Sequence, residues 1–91
     1  MTTRERIEAA LRQRLRPRHL VIEDDSARHA GHAGASGGGG HFELLIVSEL
    51  FEGLTLLEQH RLVYEALAEL IGREIHALGL KTMPPSGWAG P

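Results

Sequence analysis

The chain has no cysteine in its 91 residues. It therefore forms no disulfide and offers no thiolate nucleophile, and by itself it can complete neither a cysteine zinc site nor a fully cysteinyl cluster site. A cationic excess is also missing. Ten Lys and Arg stand against twelve Asp and Glu, so nucleic acid is not recognised by overall charge, although a local basic patch is left open. Long apolar runs are absent too: the densest, "LLIV" at 44–47, is far too short to span a bilayer. The N-terminal "MTTRERIEAA" is charged and amphipathic, unlike a secretion signal. These features lead us to expect a cytoplasmic protein without a membrane partner, built as one small domain around a single modest core.

What is present reads as alternating helix and strand. Ile7, Leu11 and Leu15 recur every four residues with Arg and Glu between them, which predicts an amphipathic helix from Thr2 or Thr3 to Leu15. Thr2 with Glu5 fits a capping box, and Pro17 stops the helix. A first strand is expected around Leu20–Ile22 and a second around Leu44–Val47. Gly53 marks a turn, with room for a short helical piece before a longer helix over Thr55–Ile71, which carries Leu56, Val63, Leu67, Leu70 and Ile71 on one side and is ended by Gly72. "EIHALGLKT" reads as a third strand, and the tail "PPSGWAGP" has one anchor, Trp88. The expected fold is α/β (α+β), with a three-stranded mixed sheet and helices packed on one face. The domain occupies 1–82, including a Gly/His-rich loop at 28–40, and 83–91 form a Pro/Gly-rich tail.

Between the first two strands, "RHAGHAGASGGGGH" holds three histidines and six glycines in fourteen positions. "GHAG", Gly31 to Gly34, matches a G-x-x-G nucleic-acid clamp, but it lies between strands where the clamp joins helices, and only Arg28 is nearby. A phosphate loop is excluded by the missing Gly-Lys-Ser/Thr. Metal ligation fits better: His29 and His32 are three residues apart, and neutral imidazole is a common transition-metal ligand. The alternative for this pair is a solvated polar turn, and for His41 a strand residue facing a neighbour across the sheet. His76 falls inside the third strand, where simple alternation puts it half-buried on one face with Leu78 and Leu80. There it is either a satisfied structural histidine or a neutral imidazole ready to ligate.

The stretch His41–Thr82 closely resembles the BolA family. The resemblance is carried by Val47-Ser48 followed by Phe51 and Gly53, by "HRLVYEAL" from His60, and by "HALGLKT" from His76. "RERIEAALRQRL", "EDDSARHAGH" and Trp88 extend it over nearly the whole chain. It implies a class II KH-like topology in the order α-β-β-α-α-β, and a protein that is not an enzyme. It further implies heterodimer formation with a monothiol glutaredoxin, sharing a glutathione-assisted 2Fe-2S cluster in iron-sulfur trafficking or iron and redox regulation. Alone, the chain would be a monomer or weak homodimer. By the same resemblance the metal ligands are His76 and, from the loop, His29, with His32 as the alternative loop ligand.

Ligand number then explains the missing cysteine. Two bridging sulfides leave four terminal positions on two irons. Two imidazoles fill half of them, and the glutaredoxin cysteine and the glutathione thiol fill the rest. A second role described in the family is DNA-binding transcriptional regulation. Arg4, Arg6, Arg12, Arg14, Arg16 and Arg18 would be its basic cluster, against the alternative that alternating Arg and Glu make a solvated face. A third reading is a metal buffer using His29, His32 and His76 without a partner protein.

Overall fold

The computed structural model describes residues 1–26 and 40–90. Helix α1 spans Thr3–Leu15. The Thr2 hydroxyl accepts the Glu5 N–H at 3.1 Å while the Glu5 carboxylate accepts the Thr2 N–H at 2.8 Å, so the expected capping box is formed. Ile7, Leu11 and Leu15 make its buried stripe. Arg16 then turns left-handed at φ 46°, and Pro17 prevents any continuation.

Strand β1 is His19–Asp24, β2 is Gly40–Val47 and β3 is Ile75–Met83. β2 lies in the middle, antiparallel to β1 and parallel to β3. Both outer strands are longer than their apolar centres, because polar end residues join the ladder without needing burial. β2 also starts four residues before its apolar run. Gly40 therefore belongs to the strand rather than to the expected loop, just as Met83 belongs to β3 rather than to the tail.

Phe42, Leu44 and Ile46 alternate toward the helices and, with Ile22, Ile75 and the α1 stripe, form one core that also takes Phe51, Val63 and Leu67. The opposite sheet face is open. A short 3₁₀ turn, Glu49–Phe51, precedes helix α2 at Leu56–Ala66, giving the expected order of elements. A second capping box, Thr55 with Glu58, starts α2.

Two expectations about α2 need correction. The α-helix ends at Ala66 rather than Ile71, and turns follow, with Leu70 N–H donating to Leu67 C=O at 2.8 Å. The chain must reverse there to start β3, and Gly72 at φ +82° makes that reversal. Leu56, placed on the inner side by periodicity, is 59% exposed, since it stands in the first turn, clear of the core that begins at Gln59 and Val63.

Buried hydrogen bonds tie the elements together. The Ser48 hydroxyl donates to Leu15 C=O at 2.6 Å and accepts Leu50 N–H at 3.1 Å. It therefore caps the end of α1 and the start of the 3₁₀ turn at once. Thr82 on β3 donates to Gln59 Oε1 at 2.7 Å, and Gln59 Nε2 reaches Leu54 C=O at 3.1 Å. The tail folds back onto the open face, where Trp88 stacks on His19 with ring centroids 4.8 Å apart.

Candidate functional site

The apolar residues of β3 do not keep a period of two throughout. Ile75 is buried in the core while Leu78 and Leu80 pack against it, so one side of the strand changes hands between 75 and 78. The pairing shows how: Gly40 pairs with Ile75, but the next residue of β2, His41, pairs with Ala77. His76 is the extra residue of a β-bulge. Bulges re-aim side chains and increase local twist, and here both His76 and Ala77 are exposed. The expectation that His76 sits half-buried beside Leu78 and Leu80 is thus overturned. Its imidazole is presented to solvent from a rigid strand.

The base of that strand is held from three directions. Gly40 N–H donates to Glu74 C=O at 3.1 Å. The Glu74 carboxylate accepts from the Thr3 hydroxyl at 2.9 Å and from Arg6 Nη1 at 2.9 Å. These bonds hold its ionisation below the ordinary glutamate value, Thr3 first and Arg6 second. The start of α1 therefore fixes the segment from which His76 emerges.

On β2 beside the bulge, His41 is half-buried on the open face, as expected of a residue facing a neighbour across the sheet. Its N–H donates to Ser26 Oγ at 3.1 Å and its C=O accepts Asp25 N–H at 2.7 Å. Asp24 caps Ser26 N–H at 2.9 Å, and these Ser26 hydrogen bonds lower its pKa. A hollow of about 330 Å³ opens here, lined by Asp25, His41, Glu43, Ala77 and Gly79 among others.

His29, His32 and "GHAG" lie outside the described residues, so the loop half of the expected ligand set has no place in this geometry. Among the described residues, no three His, Cys, Asp or Glu side chains converge on one point that could hold a metal ion. His60 Nε2 is sealed from solvent without a hydrogen-bond partner, so that histidine serves packing in α2. Of the α1 basic cluster, Arg6 pairs with Glu74, Arg12 with Glu8 and Arg18 with Glu49. Half of those cations are engaged within the chain.

Sequence reading missed the bulge. Its signal was present: Ile75 and Leu78 are three apart, one more than an uninterrupted strand allows for two residues on the same face.

No helix of the described residues is long and apolar enough to cross a membrane. The family model described as "BolA-like protein" matches residues 11–87. Over 90 residues the chain is 40% identical to the DNA-binding transcriptional regulator BolA of Escherichia coli, covering 99% of this chain and 83% of that one. It is 45% identical over 84 residues to the chloroplastic protein BOLA1 of Arabidopsis thaliana, covering 89% of this chain but 52% of the relative. Some relatives are thus about twice the length that the chain spans. The structure of BolA1 from Arabidopsis thaliana superimposes with a TM-score of 0.84 at 42% identity, covering 97% of both chains. Family model, relatives and superimposed fold agree, and the chain belongs to the BolA-like family.

Proposed function

We propose that this BolA-like protein is a non-enzymatic partner of a monothiol glutaredoxin, with which it shares a glutathione-assisted 2Fe-2S cluster in iron-sulfur trafficking or iron and redox regulation. The observation that carries this reading is His76, an exposed imidazole set at a bulge in a rigid strand of a chain without cysteine. Imidazole suits iron, and a site on a strand keeps its donor in place without ordering entropy. His76 would hold one position and His29, or His32 in its stead, the second. The thiol ligands would come from the glutaredoxin cysteine and from glutathione. When bound, such a cluster supplies one-electron redox chemistry, and replacing thiolates by neutral histidines raises its potential.

The test is to mix the chain with a monothiol glutaredoxin, iron, sulfide and glutathione, and to record absorption and circular dichroism. His76→Ala, and His29→Ala with His32→Ala, should each change the cluster spectrum relative to wild type. An unchanged spectrum in both refutes the ligand assignment.

A second reading, transcriptional regulation, draws support from the name of the Escherichia coli relative. Arg4, Arg14 and Arg16 would carry it, since Arg6, Arg12 and Arg18 are ion-paired. DNA affinity measured against salt decides it: a steep negative slope supports phosphate contacts, and a flat, weak response rejects them.

A further inference from the structure

The sheet ends at β1 on one side, and among the described residues β1 has β2 as its only strand neighbour. In an antiparallel pair, residues that exchange main-chain hydrogen bonds alternate with residues that do not. Asp25 N–H donates to His41 C=O at 2.7 Å. With Glu23 paired to Glu43 and Val21 to Leu45 in the same register, the odd-numbered residues of β1 bond inward to β2. Leu20 and Ile22 therefore turn their N–H and C=O groups outward, along a strand with no bulge, proline or lysine. The other edge, β3, has a bulge at His76 and carries Lys81, two devices that discourage strand addition.

The charge along β1 is self-complementary. "RHLVIED", residues 18–24, starts with Arg18 and His19, ends with Glu23 and Asp24, and has Val21 at its centre. Residues facing each other across an antiparallel pair share a sheet face. Two copies of β1 related by a two-fold axis at Val21 would set Leu20 against Ile22, with their outward main-chain groups matched. The same axis sets His19 against Glu23 and Arg18 against Asp24. Moving the axis to Ile22 would instead set Val21 against Glu23 and Leu20 against Asp24, apolar against acid. Within one chain Glu23 faces a like charge, Glu43, which is unfavourable; the Val21 axis gives it an imidazole on its other side. Val21, exposed on the open face, meets its own copy at the axis.

We propose that β1 is a self-association surface, to which a second copy of this chain adds its own β1 antiparallel across a two-fold axis at Val21, joining the two sheets into one. The contact is a single strand of six residues, far smaller than a stable interface requires, so the dimer is weak and depends on concentration. β3, with His76, is the opposite edge of the sheet. The association therefore uses none of the residues assigned to the cluster.

The experiment uses the full chain without metal, glutathione or glutaredoxin. Sedimentation equilibrium from micromolar to millimolar concentration should show reversible dimerisation, and amide hydrogen exchange at Leu20 and Ile22 should slow as concentration rises. Val21→Lys replaces the apolar contact at the axis by facing cations and should weaken dimerisation by about fivefold or more. Leu57→Lys alters an exposed apolar residue of α2 and should leave dimerisation unchanged. Far-UV circular dichroism checks that both variants are folded, and the exchange measurement on the wild type needs no variant. A chain that stays monomeric at millimolar concentration overturns the proposal. So does a dimer that forms without slowing exchange at Leu20 and Ile22, or one that Leu57→Lys disrupts and Val21→Lys does not.

Discussion

Two glycines near His76 provide opposite tests of what a steric clash costs. A Cβ on Gly40 would run into the Phe42 ring edge and come within 2.7 Å of the Glu74 carbonyl oxygen. Neither neighbour can yield cheaply: Phe42 is in the core, and the Glu74 carbonyl already accepts the Gly40 N–H. Over-packing of this kind costs about 1–3 kcal/mol. A Cβ on Gly79 would overlap the Glu43 carboxylate even more severely. Yet Glu43 is an exposed side chain whose far end rotates away, and Gly→Ala reduces unfolded-state entropy in partial compensation. Gly79→Ala should therefore fall within about 0.5 kcal/mol of wild type. For a domain of this size each kcal/mol moves Tm by about 4–8 °C, so thermal melts separate the two variants clearly. Gly40→Ala should also disturb His76, whose strand begins at the displaced segment. A melt in which Gly79→Ala is as destabilised as Gly40→Ala would refute the argument that the mobility of the struck atom, and not the depth of overlap, sets the cost.

Three further perturbations address contacts that tie the elements together. Ser48→Ala leaves Leu15 C=O and Leu50 N–H without their buried partner and should cost about 1–3 kcal/mol; a denaturant midpoint equal to wild type contradicts the double-cap role. His19→Ala removes the stack under Trp88, worth about 0.5–1.5 kcal/mol. Because Trp88 is the only tryptophan, its emission should shift to the red, and an unmoved maximum would show that the tail is held by something else. Glu5, Glu58 and Glu74 are all held below the ordinary glutamate pKa, the first two chiefly by the backbone N–H of their capping threonines and Glu74 chiefly by the Thr3 hydroxyl. A depressed carboxylate contributes stability above its unfolded pKa, and this is lost as pH falls through the folded value. Stability should therefore decline below about pH 4.5, and Glu74→Gln should flatten that decline; an equal slope in the variant counts against the Thr3–Glu74–Arg6 tie.

Much of the fold was legible because local signals and burial agree. Ile7, Leu11 and Leu15 match a helical period and are all buried, and the Thr2–Glu5 box is where its spacing put it. The apolar run Leu44–Val47 is indeed in the central strand, where it is covered on one side by helices. Legibility failed where tertiary structure overrides local period. Leu67, Leu70 and Ile71 continue the apolar spacing of α2, yet that spacing is equally satisfied by turns that keep Leu67 buried while the chain reverses toward β3. Trp88 was readable as an anchor, but its partner was not, since His19 is 69 positions away and only the fold brings the rings together.

The site shows the same division more sharply. That His76 lies in a strand follows from its neighbours. Its exposure depends on the bulge beside Gly40: there the ladder steps one residue on β2 for two on β3, at a position where a side chain would meet the Glu74 carbonyl and the Phe42 ring. Without that slip, His76 would keep the parity of Leu78 and Leu80 and turn toward the core. A buried imidazole there would have to find a partner or stay neutral. The register slip beside Gly40 thus decides, through the pairing of the two strands, whether the histidine of β3 is a packing residue or an available ligand.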